Sequence, residues 1–270
     1  MISPHPDRRG IPLRALAPNA VTALALCFGL TAIRFAIGGE WEKAVAVIIV
    51  AGVLDGLDGR VARLLRGESR FGAELDSLSD VIAFGVSPAI VVYLWALREM
   101  PDYGWLVALA HALCCALRLA RFNANIDVQE QPHKSAGFLT GVPAPMGAGL
   151  LLLPLYLWLW TDLALFRHYA FVAPWTALVA LLMISSFATF SWSAARPRRG
   201  IRLGLLLAVA LLGTATVVAP WTSLSCIALL YLGSIPFSIR GYARSRRLRA
   251  AETPAPAETP PPDGADAPTL

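Results

Sequence analysis

The amino-acid sequence predicts an all-α fold: a polytopic integral membrane helix bundle of about eight transmembrane helices with both termini cytoplasmic. Three observations carry this expectation. Hydrophobic residues make up 56% of the 270 positions and charged residues 15%, against about one quarter charged in an ordinary soluble domain, and the mean hydropathy is +0.59. Apolar runs recur at the length of about 20 residues that a helix needs to cross hydrocarbon. Basic residues collect in alternate loops between those runs.

Taken in order, the expected spans are 19–38, 42–64, 77–98, 104–124, 142–161, 169–192, 201–219 and 222–240. Ile11 to Leu16 suits a short interfacial helix, after which Pro18 and Asn19 open the first span. Arg8, Arg9 and Arg14 precede that span, Arg60, Arg63, Arg66 and Arg70 lie at and beyond the end of the second, and Arg118, Arg121 and Lys134 at and beyond the end of the fourth. Arg196, Arg198, Arg199 and Arg202 lie between the sixth and seventh, and Arg240, Arg244, Arg246, Arg247 and Arg249 follow the eighth. The intervening loops are poor in Lys and Arg, so the positive-inside rule puts both termini in the cytoplasm, as an even number of spans requires. The net charge of +5 is therefore explained by orientation, and no nucleic-acid partner is expected. Cys27, Cys114, Cys115 and Cys226 all fall in spans without C-x-x-C spacing, which indicates neither a disulfide framework nor a zinc site. The first apolar run has full span length with no small-residue cleavage pattern, so it is expected to stay as a helix. The division expected is a cytoplasmic segment 1–18, a membrane-embedded domain 19–241 and a cytoplasmic tail 242–270, basic at first and then Pro- and Ala-rich and disordered.

Four carboxylates, Asp55, Asp58, Asp76 and Asp80, interrupt this apolar chain. A carboxylate in hydrocarbon costs roughly 2.5–3.5 kcal/mol even on lenient scales, so a group of them is a functional site by default. At about 100° per residue, Asp55, Asp58, Gly59 and Ala62 share one helix stripe about 100° wide, and Gly72, Asp76 and Asp80 share a narrower one. Leu64 to Phe71 suits a tight turn, so two antiparallel helices would face their acids towards each other near the inner interface. Hard divalent cations prefer carboxylate oxygens, and two ions about 4 Å apart form a clamp for displacement at phosphorus. Gly56, Gly59 and Gly72 leave room for close approach, and Arg63 offers a fork for phosphate. Simple pairing of the acids with Arg60, Arg63, Arg66 and Arg70 would leave the glycines on the acid stripes unexplained.

Asp55, Gly56, Asp58, Gly59, Ala62, Arg63, Gly72, Asp76 and Asp80 together match the signature of the CDP-alcohol phosphatidyltransferase family, which this chain resembles. The resemblance implies a membrane enzyme that moves a phosphatidyl or similar group from a CDP-linked donor to an alcohol and releases CMP, with Mg²⁺ or Mn²⁺, as two ions. Residue by residue, it implies that Asp55, Asp58 and Asp76 are metal ligands and that Asp80 is the general base, also able to touch a metal. It implies further that Gly56, Gly59, Ala62, Arg63 and Gly72 line the CDP site of the 19–241 domain. A homodimer in the inner membrane, with the site facing the cytoplasm, is the corresponding expectation.

The acceptor is read from a weaker region. Leu119 to Asn123 reads L-A-R-F-N, and Gly141 to Pro145 follows as G-V-P-A-P; both resemble the bacterial phosphatidylserine synthases of the same family, with Ala144 departing from the small hydroxyl residue expected there. CDP-diacylglycerol and L-serine are then the expected substrates, among membrane lipids. Arg118 and Arg121, one turn apart, and Asn123 are candidates to bind the acceptor or a lipid phosphate. Glycerol phosphate, inositol phosphate and choline stay open as other acceptors. A membrane prenyltransferase would carry its acidic motifs in separate halves of the chain, and a divalent-cation transporter would need a polar path through helices that are here almost wholly apolar.

Overall fold

A computed structural model describes residues 13–65, 69–124, 138–185, 188–190 and 199–252. The chain is helical throughout these residues except for one short ladder. Helix α1 (Leu13–Ile37) turns at Gly38 and Gly39 into α2 (Trp41–Leu65). Gly39 takes φ +73, and the Glu40 N–H closes the turn on the Phe35 carbonyl at 2.9 Å. Helix α3 (Arg70–Asp80) passes through a π-helical stretch (Val81–Val86) into α4 (Ser87–Trp95), and the three pieces form one span, Arg70–Trp95. Next come α5 (Gly104–Ala124), strand β1 (Phe138–Thr140), α6 (Ala144–Leu151), α7 (Leu153–Thr161), the short α8 (Ala164–Arg167) and α9 (Tyr169–Ile184). Strand β2 (Ala188–Phe190), α10 (Arg199–Val218) and α11 (Pro220–Glu252) complete the order.

Among the described residues, five helical segments are long and apolar enough to cross a membrane: Leu16–Ile37, Arg70–Trp95, Gly104–Ala124, Ala144–Thr161 and Pro220–Ser238. Tyr169–Ile184 and Leu206–Val218 are shorter apolar helices, and α2 has the length but carries the charges of the acidic motif. These eight correspond one for one to the expected spans, and the chain is a multi-pass membrane protein.

The boundaries differ in places, each for a local reason. Leu13 to Leu16, expected as a separate interfacial helix, run on into α1; Ile11 and Pro12 lie outside the described residues. The third span begins at Arg70 rather than 77, because Ser69 caps it there. The sixth was expected to reach 192, yet α9 ends at Ile184 and Ser185 turns extended, at φ −60 and ψ 155. Beyond it Ala188–Phe190 pairs antiparallel with Phe138–Thr140, Leu139 opposite Thr189. Helix α11 continues past 240 to Glu252, since its Ala, Arg and Leu are good helix formers. The rest of the tail, 253–270, lies outside the described residues.

The core lies where α4, α6, α7 and α9 meet, around Val91, Val92, Trp95, Leu150 to Leu153, Leu155 and Met183. Pro154 has no N–H for the carbonyl of Leu150 four residues earlier, and the Trp175 indole N–H of α9 donates to that carbonyl instead, at 2.8 Å. At the α8 end, the Arg167 Nε donates to the Trp95 carbonyl at 3.2 Å, and its guanidinium lies over the Trp158 ring, 5.5 Å from the centroid. Satisfying backbone groups in this way is a condition for irregular helices inside a membrane.

Candidate active site

The site forms where α1, α2 and α3 meet. The hydroxyl of Ser69 accepts the Gly72 N–H at 3.0 Å and fixes the start of α3, a serine N-cap of the usual kind. That start decides which way Asp76 and Asp80, one and two turns further on, will point. One carboxylate oxygen from each of Asp55, Asp76 and Asp80 lies within 4.8 Å of the other two, and all three residues are half-buried. The stripes expected on α2 and α3 therefore do face each other.

Asp58 stands beside this trio and is held differently. It is 6% exposed, and its Oδ2 accepts the Thr22 hydroxyl of α1 at 2.7 Å. The same hydroxyl lies 3.1 Å from the Pro18 carbonyl; it has one hydrogen, and the shorter, charge-assisted contact to the carboxylate is the stronger one. The Ser79 hydroxyl donates to the Thr22 carbonyl at 3.2 Å, so Thr22 joins all three helices. Gly72 is required by closeness: a Cβ there would lie 2.7 Å from Asn19 Oδ1.

A cavity of about 650 Å³ opens on this junction. Gly59, Ala62, Arg63 and Gly72 line it together with Asp58 and Asp76, which brings together most of the residues singled out in the sequence. Gly56 is not among its lining residues. The Arg63 Nε donates back to the Gly59 carbonyl at 3.1 Å, which holds the guanidinium at the cavity wall. Pro18, Asn19, Thr22, Ser69, Ala73 and Phe122 also line the cavity, and the sequence reading missed them as site residues. Asn19 and Thr22 did leave a signal, as two polar side chains about one turn apart in an apolar run; Phe122 left none.

The acceptor candidates separate. The Asn123 amide donates to the Ser77 hydroxyl of α3 at 2.8 Å, between Asp76 and Asp80 in sequence. The Arg121 guanidinium donates to the carbonyls of Ile184 at 3.0 Å and Ser185 at 3.2 Å, at the end of α9. The Arg118 Nε is buried with no hydrogen-bond partner.

The residues present fit a hard divalent cation. Three carboxylate oxygens within 4.8 Å of one another need contract little to share an ion with Mg–O distances near 2.1 Å. Arg60, Arg63 and Arg70 make no ion pair with the aspartates, and Arg66 lies outside the described residues. Surface pairing thus does not account for the cluster. Close carboxylates without a cationic partner repel one another unless a proton or a metal lies between them.

Residues 15–195 match the model of the CDP-alcohol phosphatidyltransferase family, and residues 201–236 match that of CDP-alcohol phosphatidyltransferase 2. The chain belongs to the CDP-alcohol phosphatidyltransferase family. It is 40% identical over 247 residues, covering 89% of this chain and 83% of the relative, to the CDP-diacylglycerol–serine O-phosphatidyltransferase of Mycobacterium tuberculosis. The enzyme of that name from Mycobacterium leprae is 40% identical over 88% of this chain and 79% of its own. That from Helicobacter pylori is 38% identical over 51% of this chain and 56% of its own. The two family matches thus reach from α1 through the acidic motif and α9 into α11.

Proposed function

We propose that this protein makes phosphatidylserine: it transfers the phosphatidyl group of CDP-diacylglycerol to the hydroxyl of L-serine and releases CMP, using Mg²⁺ or Mn²⁺. The observation that carries this reading is the carboxylate trio of Asp55, Asp76 and Asp80 at a cavity lined by Asp76 and by Asp58, Gly59, Ala62, Arg63 and Gly72 of the same motif. The naming of relatives that cover most of the chain supports serine as the acceptor.

The cytidine diphosphate occupies the cavity, with Gly59, Ala62 and Gly72 admitting it and Arg63 pairing with a phosphate. Asp55, Asp58 and Asp76 hold the cations, Asp58 steadied by Thr22. The metal, when bound, neutralises the diphosphate and the charge that gathers on the leaving CMP. Asp80 accepts the proton of the serine hydroxyl as that oxygen attacks the donor's β-phosphorus. Arg118, whose buried Nε has no hydrogen-bond partner, receives the serine carboxylate; a phosphorylated alcohol would call for more cations than this, and choline for an aromatic cage. Asn123 holds α3 through Ser77. This end of the bundle, and both termini, face the cytoplasmic side of the inner membrane, where the soluble acceptor and the lipid donor meet; the Arg-rich loops support that orientation. Two copies associate as a homodimer, in line with the family resemblance.

The test is to supply purified protein with CDP-diacylglycerol and Mn²⁺ or Mg²⁺ and to offer serine, glycerol phosphate, inositol phosphate and choline in turn. Serine alone should give CMP and a new lipid in equal amounts. CMP release with another alcohol and none with serine would move the acceptor assignment and leave the family chemistry intact.

A further inference from the structure

The lining of the cavity of about 650 Å³ falls into two levels. Thr22, Asp58 and Asp76 line the inner level, and one turn further out on the same three helices come Asn19, Ala62 and Gly72. A turn rises about 5.4 Å. A nucleotide whose phosphates meet the aspartates therefore carries its sugar and base into the outer level.

Asn19 of α1 is the polar side chain of that outer level without a partner. It is 9% exposed, and its amide makes no hydrogen bond among the described residues. A buried amide is costly unless it finds partners, and this one offers two donors and an acceptor to whatever fills the cavity. Gly72 leaves it room, since a Cβ there would lie 2.7 Å from Asn19 Oδ1. The Ser69 hydroxyl, also in the wall, accepts the Gly72 N–H and keeps its own hydrogen to donate. Phe122 adds a flat face. The Asn123 amide of α5 donates to the Ser77 hydroxyl at 2.8 Å, which ties the end of α5 to α3 and sets the preceding Phe122 at the cavity wall, 41% exposed. Phe122 carries the one aromatic ring among the described lining residues. An aromatic face with a hydrogen-bonding edge beside it suits an unpaired nucleobase, which stacks on the one and bonds to the other.

We propose that Asn19 and Phe122 form the nucleobase subsite of this cavity: the Asn19 amide hydrogen-bonds the polar edge of the pyrimidine, and the Phe122 ring stacks on its face. This rests on the reading above that the cytidine diphosphate of the donor occupies the cavity.

The test uses the full chain in detergent with Mn²⁺ present. CMP binding is measured by calorimetry, and ribose 5-phosphate, which has the sugar and phosphate but no base, is measured by its competition with CMP. The unaltered protein should bind CMP the more tightly. Asn19→Leu, close in size and without hydrogen-bonding groups, should weaken CMP about tenfold, as a polar edge buried without its partner does, and leave ribose 5-phosphate unchanged. Phe122→Leu should weaken CMP about fivefold or more through lost stacking, again with ribose 5-phosphate unchanged, and Phe122→Tyr should keep the unaltered affinity. CMP bound at the unaltered level in Asn19→Leu or in Phe122→Leu would overturn the proposal. Equal losses for both ligands would also overturn it, by placing these side chains at the sugar or the phosphate. Should Asn19→Leu not fold, Asn19→Ala and Phe122→Leu carry the test with the same outcomes. An unaltered protein that binds CMP no better than ribose 5-phosphate would overturn the subsite alone. Absence of binding of either ligand would remove the nucleotide reading of the cavity and this proposal with it.

Discussion

At the scale of single residues, the four aspartates divide by what they touch. Asp80 is placed with Asp55 and Asp76, and the proposed reaction makes it the base. A base there and a ligand there predict different defects. Asp80→Asn should lower turnover at least about a hundredfold, the usual worth of a positioned base, while binding of CDP-diacylglycerol, measured by equilibrium binding, stays close to normal. Loss of donor binding would make Asp80 chiefly a metal ligand. Asp58 depends on Thr22, and a hydrogen bond to a charged group contributes about 1.5–3 kcal/mol. Thr22→Val should therefore raise the KM for the donor about tenfold or more, and an unchanged KM would mean that Asp58 needs no hold from α1. The aspartates and glycines were legible in the sequence because helical spacing alone puts them on two stripes. Thr22 and Asn19 were visible but unassigned, since nothing in the sequence says which other helix a polar residue of the first span will meet.

At the scale of elements, the ends and breaks of helices were harder to read than the helices. Ser185 ends α9 within an apolar run, and what closes it comes from far along the chain. The Arg121 guanidinium takes the last carbonyls, and Gly141, at φ +73, passes so near that a Cβ would lie 2.7 Å from the Met183 carbonyl. Such contacts depend on tertiary placement and leave no periodic trace. The π-helical stretch, Val81–Val86, is hidden for the same reason. Arg118 and Arg121 looked alike in sequence, one turn apart, and their surroundings make them different. Arg121→Gln should lower the melting temperature and leave the KM for serine within about twofold, whereas Arg118→Gln should raise that KM by tenfold or more, the worth of a charge-assisted contact. Equal effects on the KM would join the two arginines in one acceptor site.

At the scale of the whole molecule, a greasy bundle carries its polar chemistry at one end, and loop charge says which side that end faces. If the termini are cytoplasmic, as proposed, green fluorescent protein fused after Leu270 should fluoresce in a bacterial host and alkaline phosphatase at the same place should be inactive. The opposite pair of results would invert the bundle and put the aspartates on the outer face. The number of spans was legible because hydrocarbon thickness fixes a length that sequence can show. How the helices pack around the 650 Å³ cavity was not, because side-chain fit between helices distant in sequence has no local signal.

The most direct measurement is of phosphatidylserine formed by the purified protein in liposomes containing CDP-diacylglycerol, with serine present, as metal is removed by a chelator and then restored. Product should cease on chelation, return with Mn²⁺ or Mg²⁺, and not return in Asp76→Asn at the same metal concentration. Phosphatidylserine that continues to form in the chelator would contradict a donor held by metal on Asp55, Asp58 and Asp76.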